Sequence, residues 1–589
     1  MVFCSPTSSC NTEPSQYTRY RFYSLLYSPM ITARSDVYPR FEVLLNTEID
    51  SYEWLVERIK QLDEVDASLS YEYAWRYIRQ TTNTADQEAK QAYLDFTQTI
   101  YPEWITISDR LGRKLIASPF CDQLPAAYHN YIRSVKHAID LFREENVPLM
   151  SKEKALAAQF SEIIGALSID YNGETLTMKQ AEDYLKSSDR TVRKEVFELI
   201  EARRYQDHER LDALMTDLIA VRTQIAQQCW FATYTDYSFS FRYDYTRDHV
   251  NQFHQAIETV MSPIIEWFFA QRTSVLCIEE LQPYDFDCPL VADVESQLFA
   301  STDEMIDKLC LLLRKMDPAF EDCIRTMQSK EYLDLETRHN KAPWWYNYPL
   351  VKTPYSFIFM NAMRDHWWWF TWAHEAGHAI HHYCTHHLWR EMFRNCPSEI
   401  CEIASMAMEL FVSDDLARIG CSPTQITDAL QAKTFFDLGF LPYMSKIDIF
   451  QQRLYDNPTH SVTERHEQWR KLNERYPASM RTHSTASWSW WYQHYLDTFR
   501  QRQMHIFQHP FYYIEYGIAY LASVQLYQQF LDDRLWAIKN YKNILSAWYT
   551  HSIPETMALW SVQFVLDAET LESLMKTMLD RYDMLDMKK

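Results

Sequence analysis

The chain has 589 residues, a formal net charge of -22, and a composition that is 47% hydrophobic and 15% aromatic. This apolar content is enough to bury a large core and excludes an intrinsically disordered chain. The acidic balance argues against nucleic-acid binding, because it offers phosphates no basic stripe.

The cysteines and the hydropathy indicate in which cellular compartment we expect the protein. Twelve cysteines occur without a CxxC pair, so we expect no Cys4 structural zinc site and reduced thiols in a cytoplasmic protein. The first 30 residues lack the basic start and apolar run of a signal peptide. No stretch of 18 apolar residues occurs, so we expect no membrane partner.

In chain order, the patterning is mostly helical. Apolar residues three and four apart predict helices over 49–66, 86–99, 208–228 and 302–315. Helix N-caps are predicted at Ser51, Thr84 and Ser301–Thr302. Strand signals are sparse and fall at a hairpin over 168–177, turning at Asn172-Gly173, and at 354–361. We therefore expect a mainly α protein with a small antiparallel sheet.

The stretch His374-Glu375-Ala376-Gly377-His378 carries the chemistry. On a helix, His374 and His378 lie on one face, roughly 5–6 Å apart, which suits two imidazoles binding one Zn²⁺. Glu375 would then lie beside the open position of the metal and serve as the general base for a water. The preceding apolar run, 367–373, places this motif in a buried helix.

A catalytic zinc needs a third protein ligand, and the segment 399–411 offers candidates. Residues 395–397 break the first helix, and Ser398 is predicted to cap a second one. On that helix, three glutamates share a face: Glu399, Glu402 and Glu409. The pattern fits either a solvated acidic face or a site in which Glu402 is the ligand and Glu409 orients a histidine, with Glu399 as the competing ligand.

Two further groups of residues are less decisive. Histidines continue the first helix at positions 381, 382, 386 and 387, and a His378/His382 pair is geometrically possible, but it lacks a glutamate in the base position. Near the C-terminus, residues 505–517 are rich in histidine and tyrosine, whose side chains can stabilise an oxyanion. Tyr513 and Tyr516 share a helical face there.

These motifs together resemble the oligoendopeptidase F branch of the thimet oligopeptidase family. HEAGHAIHH is similar to that family's zinc helix, CEIASMAMEL to its third-ligand helix, and MHIFQHPFYYIEYGIAYL to its C-terminal His/Tyr segment. The segments 74–96 and 110–120 are similar to its N-terminal helical region. The resemblance extends from about residue 30 over nearly the whole chain.

The resemblance implies a large helical ellipsoid with a deep central channel, one Zn²⁺ per chain, and short peptides as substrates. It implies zinc on His374, His378 and Glu402, with Glu375 as the base. It also implies an N-terminal extension at 1–29, an N-terminal helical region at 30–190 and a zinc peptidase catalytic region at 191–589.

The resemblance further suggests residues that contact the substrate. His505, Tyr513 and Tyr516 match the transition-state donors, with Tyr512 as the alternative. The strand at 354–361 would bind substrate by edge pairing. Two other functions remain open: a carboxypeptidase of related helical fold with the same HExxH, and a peptide-binding relative with reduced catalysis.

The chain departs from the family in its glycines. It has only 7 glycines against 19 tryptophans. Relatives tend to have glycine at the positions of five tryptophans: Trp230, Trp344, Trp345, Trp548 and Trp560. We hypothesise that the gene comes from a genome that reads UGA as glycine, which UGG codons at these positions would exclude. As true tryptophans, Trp344 and Trp345 would crowd the substrate cleft.

Overall fold

The structure is a computed structural model. It describes residues 31, 33–291, 294–295, 297–388, 391–394, 396–476, 490–546 and 551–586. The predicted extension at 1–29 and Trp548 lie outside the described residues.

Helices make up most of the described chain, which confirms the mainly α prediction. The first half contains α1 Tyr38–Asn46, α2 Tyr52–Thr82, α3 Gln87–Asp95, α4 Tyr101–Ile116, α5 His129–Leu141, α6 Asn146–Gly165, α7 Met178–Asp183, α8 Arg190–Tyr205, α9 His208–Gln228, α10 Tyr234–Phe239, α11 Arg247–Val275, α12 Thr302–Met316 and α13 Pro318–Ser329. The second half contains α14 His366–Thr385, α15 Glu391–Arg394, α16 Ser398–Ser413, α17 Pro423–Asp456, α18 Val462–Arg475, α19 Trp490–Thr498, α20 Met504–Gln508, α21 Tyr513–Asp532, α22 Arg534–Leu545, α23 Ile553–Leu559 and α24 Ala568–Asp586.

Two of the predicted N-caps are confirmed and one is wrong. The Ser51 and Ser301 hydroxyls each accept from the backbone N–H three residues on, at 3.2 Å, at the starts of α2 and α12. Helix α3 is capped instead by Asp86, which accepts from Ala89 N at 2.9 Å. The Thr84 hydroxyl donates to the Asn340 carbonyl, so a long-range contact uses the side chain that the sequence assigned to the cap.

The predicted hairpin is present as β1 Ser168–Tyr171 and β2 Glu174–Thr177, which pair antiparallel. Its turn residues Asn172 and Gly173 have φ values of 52° and 83°. Two left-handed residues give a turn whose twist matches the flanking strands, and asparagine and glycine adopt this conformation at least cost.

The second sheet is mixed rather than purely antiparallel. Its strands are β3 Leu333–Glu336, β4 Tyr346–Pro349 and β5 Ser356–Ala362, in the order β3-β5-β4. Strand β5 pairs parallel to β3 and antiparallel to β4. The predicted strand 354–361 corresponds to β5, which is central and paired on both sides. The expectation that it binds substrate by its edge is therefore wrong, and β4 forms an edge of this sheet.

The helices that carry the motifs cross inside the main apolar core. Helix α14 is buried along most of its length, and α16 and α21 pack in the same core. Gly377 marks the closest approach of α14 to α16: a Cβ there would lie 2.7 Å from Ser405 Cα and 2.8 Å from Ala404 O. Only a residue without a side chain lets the two backbones approach this closely. The approach also brings the histidines of α14 next to Glu402 of α16.

The helix ends bear on the tryptophan hypothesis. Trp230 follows α9 with a φ of 67° and is 87% exposed. Phe231 N bonds to Ala226 O at 3.1 Å and Trp230 N to Gln227 O at 3.0 Å, the pair of bonds that ends helices with a left-handed residue. A left-handed position of this kind favours glycine. Trp560, by contrast, has a φ of -101° and is buried.

No helix in the described part of the chain is long and apolar enough to cross a membrane.

Candidate metal centre and active site

Three predicted ligands converge between α14 and α16. The Nε2 atoms of His374 and His378 lie 3.3 and 3.4 Å from Glu402 Oε2. The ligand atoms of all three residues lie within 4.8 Å of one another. Glu402 is 2% exposed. The solvated acidic face is thus excluded for Glu402.

The donor set fits a zinc ion. Tetrahedral zinc with ligand distances of about 2.0–2.2 Å separates neighbouring ligand atoms by about 3.3–3.6 Å. The two distances to Glu402 match that edge length. Two imidazoles and one carboxylate, with a fourth position left open, are the donors of a catalytic zinc site. The fit therefore rests on both atom types and spacing.

Glu409 holds His374 in orientation, as predicted. Its Oε1 lies 2.7 Å from His374 Nδ1, which leaves Nε2 facing Glu402. The other Glu409 oxygen accepts from Lys433 at 2.7 Å, and Lys433 in turn contacts Asp437 at 2.8 Å. This chain of alternating charges reaches from α16 into α17 and fixes the tautomer of the histidine.

The charges of the centre stabilise each other. Burial acts to lower the pKa of His374, but its hydrogen bonds to Glu402 and Glu409 hold it well above the ordinary value. Burial acts to raise the pKa of Glu402, but the two histidines hold it well below the ordinary range. Glu402 is therefore a carboxylate, the form that binds metal ions.

Glu375 lies next to this centre as a buried carboxyl. It is 2% exposed, and no hydrogen-bond partner among the described residues meets its Oε2. In the protein alone, burial raises the pKa of Glu375 to about 8. A dication beside it would lower that pKa, because opposite charge favours the carboxylate. An unpartnered buried carboxyl oxygen can accept a proton from a bound water.

Glu399 does not face the histidines. Its Oε1 accepts from the Tyr245 hydroxyl at 2.6 Å, and it is buried. The competing ligand assignment is therefore wrong. Ser398 is also not a cap, because α16 begins at Ser398 itself and Pro397 precedes it without a side-chain cap.

The four other histidines predicted to continue the HEAGH helix do not reach the metal centre, and α14 ends before His386 and His387. His382 Nε2 lies 3.0 Å from the Thr353 carbonyl, and His386 Nδ1 lies 2.8 Å from Arg394. His387 is exposed. His381 is buried and lies against two cysteines. The His378/His382 pair is excluded by these partners.

Helices α20 and α21 bring the predicted His/Tyr cluster to the carboxylates. The Tyr512 hydroxyl donates to Glu402 Oε1 at 2.8 Å, so the alternative tyrosine makes the direct contact. Burial, and after it the charge of Glu402, raise the pKa of Tyr516 well above its ordinary value. These phenols stay protonated and can donate hydrogen bonds.

His505 and Tyr513 complete the cluster in different ways. The Gln503 amide donates to His505 Nδ1 at 2.7 Å, so the neutral ring carries its proton on Nε2. Burial and the neighbouring His509 lower the pKa of His505 to about 3. The Tyr513 hydroxyl interacts with Gln503, and its ring packs on His505 with centroids 4.9 Å apart.

Two supporting contacts were not predicted from the sequence. Ser405 donates to Glu402 Oε2 at 2.9 Å, a contact that its spacing of three residues could have suggested. Asn347 of β4 donates to the Glu375 carbonyl at 3.2 Å and ties the sheet to α14. No local pattern signals the Asn347 contact, because β4 and α14 meet only in the fold.

The two tryptophans before β4 lie at the sheet side of α14. Trp344 is buried, and its ring stacks on Phe160 with centroids 6.4 Å apart. Trp345 is half-buried and packs edge-on against Trp367 and Trp368 of α14. Trp344 therefore fills core rather than cleft.

Known proteins resemble this chain in sequence. Residues 184–576 match Peptidase family M3, and residues 30–142 match the Peptidase M3 N-terminal domain. Oligopeptidase PepF of Bacillus subtilis (strain 168) is 21% identical over 401 residues, which cover 62% of this chain and 57% of that protein. The match thus spans less than two thirds of that relative's length.

Solved structures share the fold. One described as oligoendopeptidase F has a TM-score of 0.87 and 23% identity, covering 95% of this chain and 97% of that one. PZ peptidase A with an inhibitor has a TM-score of 0.87 and 22% identity, covering 95% and 99%. At this identity the likeness shows the fold. The family match covers more than half of the chain, and the protein therefore belongs to peptidase family M3.

Proposed function

We propose that the chain is a zinc-dependent endopeptidase that hydrolyses internal bonds of short peptides. The observation that carries the proposal is the convergence of His374, His378 and Glu402 at zinc-ligand spacing. The names of its relatives, an oligopeptidase and an oligoendopeptidase, support peptide substrates. We also propose that residues 30–190 form an N-terminal helical region and that residues 191–589 form the catalytic region.

In this proposal His374, His378 and Glu402 hold the ion. When bound, zinc supplies Lewis-acid chemistry, since it polarises a carbonyl group and makes water more acidic. The unpartnered Oε2 of Glu375 accepts the proton of the attacking water and passes it to the leaving amine. Glu409 keeps His374 in the binding tautomer.

Donors from α20, from α21 and from Tyr512 between them act on the substrate's developing negative charge. Tyr512 releases Glu402 and donates to the oxyanion, with neutral His505 and Tyr516 beside it. Tyr513 interacts with Gln503, which in turn fixes His505, so we assign Tyr513 a positioning role. The outer edge of β4, which is the edge strand of the sheet among the described residues, would pair with the peptide backbone.

The test is Glu375→Gln, assayed with an internally quenched peptide. We expect cleavage to fall by at least 1,000-fold while zinc content, measured by elemental analysis, is unchanged. Glu399→Gln is the matched control, because that carboxyl is buried on the neighbouring helix and bonded to Tyr245. Cleavage by Glu375→Gln at the normal rate would remove Glu375 as the base.

A peptide with a blocked C-terminus separates this proposal from the carboxypeptidase. An endopeptidase cleaves it internally, whereas an exopeptidase leaves it intact. Zinc binding without any cleavage would favour the peptide-binding relative.

A further inference from the structure

A second cluster of metal-binding side chains lies beside the candidate zinc centre. His381 of α14, Cys396 before α16 and Cys401 within α16 place their ligand atoms within 4.8 Å of one another. The two sulfur atoms are 3.5 Å apart, and Cys396 Sγ lies 3.9 Å from His381 Nε2. His381 is buried and both cysteines are half-buried.

The atom types and spacing suit a thiophilic ion. With Zn–S of about 2.3 Å and Zn–N of about 2.0–2.1 Å, tetrahedral zinc separates two sulfurs by about 3.8 Å and a sulfur from a nitrogen by about 3.5–3.6 Å. The S–S distance of 3.5 Å is about 0.3 Å shorter than its expected value, and the S–N distance of 3.9 Å is about 0.3–0.4 Å longer, so small side-chain shifts would bring both into range. Two sulfurs and one imidazole are donors that zinc prefers, and they disfavour magnesium or calcium.

The cluster shares no donor with the first centre. The oxygens of Glu402 already contact His374, His378, Ser405 and Tyr512. His381 is one turn beyond His378 on α14, and Cys401 directly precedes Glu402. The same crossing of α14 and α16 thus presents two separate donor sets.

We propose that His381, Cys396 and Cys401 form a second metal site, which takes zinc or another thiophilic divalent ion. Binding releases the two thiol protons to solvent and leaves the fourth coordination position to water. The bound ion ties the end of α14 to the start of α16 and so braces the crossing that holds the first centre. The proposal does not depend on peptidase activity.

Cadmium is the probe, because its thiolate complexes absorb in the ultraviolet and its complexes with histidine and glutamate lack that band. Reduced, metal-free protein is titrated with Cd²⁺. We expect the thiolate band to saturate at one equivalent per chain. The double variant Cys396→Ser/Cys401→Ser should lose the band and bind one ion fewer. Cys421→Ser, also half-buried but outside the cluster, should keep both.

A second measurement uses the wild-type chain and so avoids a misfolded variant. Zinc should slow alkylation of Cys396 and Cys401 at least tenfold, as followed by peptide mass spectrometry, and leave Cys421 unchanged. Equal alkylation with and without zinc, or a thiolate band that persists in the double variant, would overturn the site. A Cys396–Cys401 disulfide in protein kept under reductant would overturn it as well.

Discussion

At the scale of single residues, Tyr512 shows that only the folded structure distinguishes between neighbouring tyrosines as hydrogen-bond donors. The sequence favours Tyr513 and Tyr516 because they share a helical face, but the chain turns just before α21 and points Tyr512 at Glu402. Helical periodicity does not describe the residue at a helix end. The choice between adjacent tyrosines therefore needs the structure.

We expect Tyr512→Phe to lower kcat by about 100-fold, the cost of removing one oxyanion donor, with little change in KM. Zinc content should stay at the wild-type value. Tyr513→Phe is the matched control and should lower kcat less than tenfold, because its hydroxyl faces Gln503. Steady-state kinetics on one quenched peptide measures both; equal losses would contradict the assignment.

Lys446 is a buried amine that the site does not use. It is fully buried in α17, its Nζ has no hydrogen-bond partner among the described residues, and the Tyr443 and Trp469 rings lie about it. Burial lowers its pKa to about 7. Keeping the charge in this setting costs free energy of folding.

The pKa of Lys446 predicts a pH dependence of stability. Between about pH 7 and the ordinary lysine pKa of about 10.4, the unfolded chain binds more protons than the folded one, so this group makes stability rise with pH. Lys446→Met should remove that rise and raise the Tm below pH 7. Thermal melts from pH 6 to 10 measure it, with exposed Lys539→Met as the control. An unchanged slope in Lys446→Met would contradict the assignment.

The crossing of α14 and α16 is the main feature at the scale of elements. Glycine at position 377 lets the backbones of the two helices come into contact. This contact sets the distance from His374 and His378 to Glu402. The HEAGH spacing predicts which residues bind metal, but not that this glycine is a contact point. Its partners, Ala404 and Ser405, lie on another helix.

We expect Gly377→Ala to destabilise the protein by about 1–3 kcal/mol, because the added methyl overlaps the backbone of α16. It should also weaken zinc binding, since the helices must separate. Denaturant titration and competition with a zinc chelator measure the two effects. Ala379→Gly, on the same buried helix, is a control that should cost stability without the added loss of zinc affinity.

The sheets show which features of a sheet the sequence predicts and which it does not. The run 354–361 correctly predicts a strand, and Asn172-Gly173 correctly predicts a hairpin turn. Alternation and turn residues are local, so they are readable. The place of β5 between β3 and β4 depends on chain segments that meet only after folding, so local patterns do not tell which strand forms the edge.

The helix end at Trp230 makes a further prediction at this scale. A left-handed φ costs a tryptophan about 1–2 kcal/mol, and the exposed ring returns little by packing. Trp230→Gly should therefore raise the free energy of unfolding by about 1 kcal/mol. Trp560→Gly should lower it, because that ring is buried and its φ is negative. Urea titration distinguishes the signs; a stabilised Trp560→Gly would contradict this account.

Over the whole molecule, metal binding and folding stability are linked. An ion held between α14 and α16 stabilises only the folded chain, by about 4 kcal/mol when free zinc is 1,000 times its Kd. The mainly α fold was predictable from sequence, and so was the cluster of His374, His378 and Glu402 that we propose as the metal site, because its residues lie on two periodic helices. The chain from Glu409 through Lys433 to Asp437 was not, because Lys433 and Asp437 belong to α17.

We expect a chelator to lower the Tm and excess zinc to restore it. The double variant His374→Ala/Glu402→Ala should lose the part of this response that the first centre contributes, since two of its three ligands are gone, and keep any part that comes from His381, Cys396 and Cys401. Differential scanning calorimetry with and without chelator measures the shift. A chelator response of the same size in that variant would place the stabilising ion elsewhere.

The left-handed residue after α9 also bears on how the protein is made. If codon 230 is UGA, a host with the standard code releases the chain after Cys229, when α9 is complete and neither α14 nor α16 has been synthesised. Such a fragment carries the N-terminal helices without their partners in the main core and leaves their apolar faces exposed to aggregation. A recombinant product ending at Cys229 would therefore report the genetic code of the source and not a weakness of the fold.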